Sequence, residues 1–169
     1  MSLKIKNILD STSLKLRDIS LLLPSRDHTQ VLAEDTPISP ADALYLLTYD
    51  IFVQVGVDEK SVKFVLSVFR DIIEKYATEI AVELSSQKPG ISKFIFLAIT
   101  DNRWVSVYPY TPERVADMLD VTVSDQMIFP NPPVMSLSVN LGALYLRSFA
   151  SVYGHDHVSL SDLIEVSNP

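Results

Sequence analysis

The chain contains no cysteine. Without thiols it can form no disulfide, offer no thiolate nucleophile and hold no Cys-ligated zinc. Glycine is scarce at 4 of 169 residues, and no Gly-rich phosphate loop, nucleophile elbow or HExxH helix can be found. No apolar run approaches the roughly 20 residues that a membrane-crossing helix needs, and the N-terminus lacks a secretory pattern. Positive charge is in deficit, with 14 Lys and Arg against 21 Asp and Glu for a net −7. That balance opposes a protein that coats nucleic acid, because phosphate contacts need cations. A cytoplasmic protein with no cofactor and no membrane contact is expected.

What is present is a globular composition, 47% hydrophobic and 21% charged, at a length that suits one domain or two small lobes. Charge is unevenly spread. Residues 1–30 hold Lys4, Lys6, Lys15, Arg17 and Arg26 against Asp10, Asp18 and Asp27, whereas residues 31–60 hold six acids against Lys60 alone.

Hydrophobic spacing organises the first half into helices. "SLKLRDISLLL" places Leu16, Ile19, Leu22 and Leu23 at helical intervals before Pro24 stops it. "SPADALYLLTYDIFVQVG" has Ser39 as N-cap, Pro40 at the first helical position and Gly56 at the end. The stretch 57–84 carries a continuous stripe from Val62 to Leu84 and predicts one long helix. After Pro89-Gly90 the period changes to that of strands. "KFIFLAI" and "RWVSVY" flank "TDN" as a hairpin, with Ala98 and Val105 expected on one face and Ile99 and Trp104 on the other. "VMSLSV" reads as a third strand, and Asn140 caps a helix that Gly154 ends. The fold class this implies is α+β: a helical N-terminal segment with one long helix, then a small antiparallel sheet with packed helices. The divisions are residues 1–88 for the helical segment and 89–169 for an α+β lobe with the hairpin and C-terminal helices.

Candidate chemistry is sparse. His155 and His157 could reach one metal ion from an extended segment, with His28 as a third ligand, and a metal-dependent enzyme on that pair is the least favoured reading. Gly154 before them and Ser159 with Asp162 after them mark a helix stop and a helix start, so the pair is read as a solvated turn. Glu113 with Asp117, and Glu79 with Glu83, lie four apart on helices but among other charges, as a solvated face does. Lys93, Arg103, Trp104, Tyr108 and Tyr110 could stack on single-stranded nucleic acid, but they are read as sheet core and edge. No catalytic residue and no metal ligand is assigned.

From Leu14 to Phe69 the chain resembles the DNA-binding half of MerR-like winged helix-turn-helix regulators, including related phage regulators. "LKLRDISLLLPSRDHTQVL" supplies Ile19, the small Ser20, Leu22 and Leu23, then Ser25-Arg26 and Thr29. "ISPADALYLLTYDIFVQVGVDEKSVKFVL" supplies Ser39, Asp42, Leu46, Gly56, Val57 and Val62. Pro24 replaces the usual glycine, Asp27 lies in the presumed reading helix, and little remains between Leu32 and Ser39 for a wing. The resemblance implies base reading by Ser25, Arg26, His28, Thr29 and Gln30, with Lys15 and Arg17 on phosphates of double-stranded DNA.

The first expectation is therefore a homodimeric DNA-binding transcriptional regulator. The alternative is a non-catalytic protein-binding or assembly module without DNA binding. The two differ in what surrounds Lys15, Arg17 and Arg26: open positive surface in a regulator, burial or acids in an assembly protein.

Overall fold

Ser39 starts the central helix as its sequence requires. Its hydroxyl accepts the Asp42 N–H at 3.0 Å and donates to the Asp42 carboxylate at 2.8 Å, while Pro40 occupies the first helical position. The helix α3 that follows, Pro40–Gln54, buries eight residues from Ala43 to Phe52, so it presents apolar surface almost all round and needs partners on several sides. It ends where Gly56 takes a φ of 93°, a left-handed conformation that a side chain would disfavour.

Those partners are other helices. In the computed structural model, which describes residues 2–23, 32–85, 94–100, 103–110 and 135–154, α3 is preceded by α1 (Ile5–Ser11) and α2 (Leu16–Leu22). It is followed by α4 (Glu59–Val68) and α5 (Arg70–Ser85). Ile5 and Ile8 of α1, and Ile19, Leu22 and Leu23 in and after α2, are buried. Val62, Val65 and Leu66 of α4 and Ile73, Ala77 and Ile80 of α5 are buried as well, with both helices against α3. The stretch before α1 is tied to the loop that leads into α3. Ile5 donates to the Thr36 carbonyl at 2.9 Å, Ile38 donates to Leu3 at 2.9 Å, and Lys4 Nζ meets Asp35 at 2.9 Å. The Lys4 hydrogen bond and charge hold the Asp35 carboxyl below its usual range.

Two expectations are corrected. The first is the single long helix over 57–84. Asp58 caps α4 by accepting the Ser61 N–H at 2.9 Å, and Phe69 (φ −101°, ψ 16°) separates α4 from α5. A straight helix of that length would extend about 42 Å, roughly twice the 22 Å or so of α3. Breaking it lets both halves keep their apolar stripes on α3, within the same chain.

The second is the α+β fold. Of the residues described with their side chains, 73% are helical, with one short strand and no sheet. The apolar side chains buried in that part come mainly from helices: Ile5 and Ile8 of α1, Ile19 and Leu22 of α2, and those of α3, α4 and α5. α1 itself, a seven-residue helix, was not expected at all.

The chain divides into two compact units, 1–91 with 143–169, and 92–142. In the second, the backbone of Phe94–Thr100 (β1) runs antiparallel to Arg103–Tyr110 (β2) and to Met135–Asn140 (β3). The simple hairpin register is displaced: Ile99 faces Trp104, but Ala98 faces Ser106, so Val105 is an extra, bulged residue. Helix α6 (Leu141–Phe149) leads to a 3-10 turn, Ala150–Tyr153, closed by Gly154 at φ 83°. Tyr145 of α6 is fully buried, stacks edge-on against Phe149 at 4.9 Å and shares a 2.9 Å hydrogen bond with the Tyr153 hydroxyl. Burial and then that bond raise the Tyr145 phenol well above its ordinary pKa.

Candidate functional site

One carboxylate interrupts the buried length of α3. Asp50 is 5% exposed and sits where the turn between α1 and α2 crosses the helix. Ser13 donates its hydroxyl to Asp50 Oδ1 at 2.5 Å and its N–H to the two oxygens at 3.2 and 3.3 Å. Gln54, one helical turn further along α3, donates to Oδ2 at 2.6 Å. Thr12 completes the turn by donating to the Ile8 carbonyl at 2.8 Å and accepting the Leu14 N–H at 3.3 Å. Among the described residues the donors to Asp50 are neutral, and no Lys or Arg pairs with it. A buried carboxylate is costly unless its oxygens are hydrogen-bonded, and here Ser13 and Gln54 supply those bonds.

A cleft opens on each side of Asp50. The first, about 240 Å³, lies beside α2 and α4. Its wall carries Asp18, Asp50 and Glu59 against the single cation Lys63, with Tyr49 and Leu21 completing it. Lys63 Nζ is 3.7 Å from Glu59 and 6.0 Å from the centre of the Tyr49 ring. Burial, followed by a hydrogen bond to Glu59 and that residue's charge, pushes the Tyr49 phenol up to about 12. The second cleft, about 340 Å³, lies between α1, α3 and α6, with Asp10, Asp50, Gln54 and Arg147 on its walls and Leu47, Ile51 and Leu144 as apolar surface.

Among the residues expected to meet DNA, Lys15 and Arg17 are exposed at the start of α2, and neither pairs with a charged group among the described residues. Asp18 shares their turn and accepts the Lys15 N–H at 2.9 Å. Ser25, Arg26, His28, Thr29 and Gln30 lie outside the described residues, as do His155, His157, Glu113 and Asp117. Glu79 is half-buried. No group of three or more His, Asp or Glu suited to a metal ion occurs among the described residues.

Sequence reasoning passed over Asp50, although a signal was present. It is the only charged residue between Asp42 and Asp58, inside a helix that is otherwise apolar on nearly every side. A lone carboxylate in such a helix needs donors from elsewhere in the fold.

No family model, curated protein or solved structure matches this chain. Among the described residues, no helix is long and apolar enough to cross a membrane.

Proposed function

We propose that the chain is a non-catalytic protein-binding or assembly module of the cytoplasm. The observation that carries this reading is the acidity beside α2. Asp18, Asp50 and Glu59 outnumber Lys63 in the adjoining cleft, next to the helix whose Lys15 and Arg17 would have to meet phosphate. Carboxylates repel a polyanion, and the net −7 of the chain adds to that. Exposed Leu21 (67%), Phe64 (66%) and Val68 (58%) offer apolar contact area of the kind that another protein covers.

A DNA-binding regulator of MerR-like type is the second reading, favoured by the exposure of Lys15 and Arg17 and by the cation excess over residues 1–30. Fluorescence anisotropy against duplex DNA from the protein's own upstream region, at low and physiological salt, separates the two. The assembly reading expects nothing tighter than the ~10⁻⁴–10⁻⁶ M of non-specific contacts. Tighter, salt-sensitive binding that Lys15→Glu and Arg17→Glu abolish would replace it with the regulator.

A further inference from the structure

The larger cleft carries a recognition pattern that neither reading of the function uses. Arg147, in the last turn of α6, shares this space of about 340 Å³ with the carboxylates of Asp10 on α1 and Asp50 on α3. The charges do not neutralise one another. Neither Asp10 nor Asp50 forms an ion pair with Arg147, and none of the three forms an ion pair with another described residue. The walls are held in place, since Ser11 Oγ at the end of α1 donates to the Ser148 carbonyl at 3.2 Å and Ser13 and Gln54 fix Asp50. The remaining surface, Leu47, Ile51 and Leu144, is aliphatic. The volume falls within the roughly 300–1,000 Å³ of small-molecule sites, where a few polar groups orient a ligand over apolar walls.

The charge pattern narrows the ligand class. A simple anion would face two carboxylates, and a simple cation would face the guanidinium. A molecule with both charges close together meets each with its opposite. We propose that this cleft binds a free aliphatic α-amino acid as its zwitterion. The carboxylate goes to Arg147, whose planar fork suits it, the ammonium group to Asp10 and Asp50, and the side chain to Leu47, Ile51 and Leu144. The site lies within one compact unit and does not depend on whether the protein's macromolecular partner is a protein or DNA.

Isothermal titration calorimetry with L-leucine tests this directly, with leucinamide and N-acetyl-L-leucine as probes that each lack one charge. Leucine should bind, and each capped form should bind roughly tenfold more weakly or worse, as loss of a charge-assisted hydrogen bond implies. Arg147→Gln and Asp10→Asn change exposed side chains and should leave the circular dichroism spectrum intact while weakening leucine by a similar factor. No heat at millimolar leucine overturns the proposal. So does binding that survives in both capped ligands or in both variants.

Discussion

Where α4 and α5 lie against α3, the buried side chains are apolar: Val62, Val65, Leu66, Ile73, Ala77 and Ile80. Where the α1–α2 turn meets the same helix, the decisive contact is a carboxylate gripped by Ser13 and Gln54. The first contact fills volume and tolerates small changes of angle; the second fixes one point by direction and fills little. That difference accounts for the clefts. Both open beside Asp50, where the turn between α1 and α2 meets α3 through hydrogen bonds, while the apolar side chains of the two helices are buried elsewhere along them. Among the described residues, the two clefts of about 240 and 340 Å³ both lie at this polar joint.

The largest loss of stability is expected on the apolar side of α3. Phe52→Ala, at a fully buried position of α3, should cost about 3–5 kcal/mol in urea unfolding, and a loss near zero would mean that α3 is not the centre of the core. On the polar side, Asp50→Ala strands the Ser13 and Gln54 donors and should cost about 1–3 kcal/mol. Ser13→Ala belongs in the same double-mutant cycle, where a coupling of about 0.5 kcal/mol or more is expected. Strict additivity would show that the turn is held by something else.

Smaller effects sharpen the picture at the helix ends. Ser39→Ala removes the α3 cap and should cost about 1 kcal/mol by chemical denaturation. Asp58 caps α4, and its hydrogen bonds with Ser61 hold its carboxyl below the usual range. Its contribution is therefore present above the unfolded carboxyl pKa of about 3.9 and is lost as pH falls through the lower folded value. Asp58→Asn keeps a capping side chain, so it should flatten that part of an acid-unfolding profile. A profile unchanged from wild type would remove Asp58 from the account. Smallest of all, Phe64→Ser on exposed α4 should change stability by no more than about 0.5 kcal/mol. The same substitution should reduce any self-association measured by sedimentation, and an unchanged association would place the contact elsewhere.

Legibility from sequence tracked how local each cause was. The start of α3 was readable because Ser39, Pro40 and Asp42 act on one another within a single turn. Its end was readable because Gly56 satisfies a local backbone requirement, and Gly154 acts the same way after the 3-10 turn. The split at Phe69 was not, because no proline or glycine marks it; its cause is the length of α3, which belongs to the packing. Helix α1 was missed although Ile5, Ile8 and Leu9 stand at helical spacing, because seven residues give only two turns of signal, and backbone bonds to Thr36 and Glu34 hold its start. Exposed positions at the start of α2 could be read from spacing, but not that Asp50 of α3 and Glu59 of α4 would line one cleft with Asp18 of α2.

By itself the sequence determined the cap and stop of α3, the stripe that α4 and α5 bury and the exclusion of thiol chemistry, since each follows from residue type and short-range spacing. Tertiary structure alone decided that the stretch after Gly56 would fold as two helices against α3 instead of one long one. It also decided that Asp50 would meet Ser13, thirty-seven residues away, and that opposite charges would share a cleft. Those outcomes depend on which surfaces can be brought together at least cost in buried polar groups, a property of the assembled chain and of no single stretch within it.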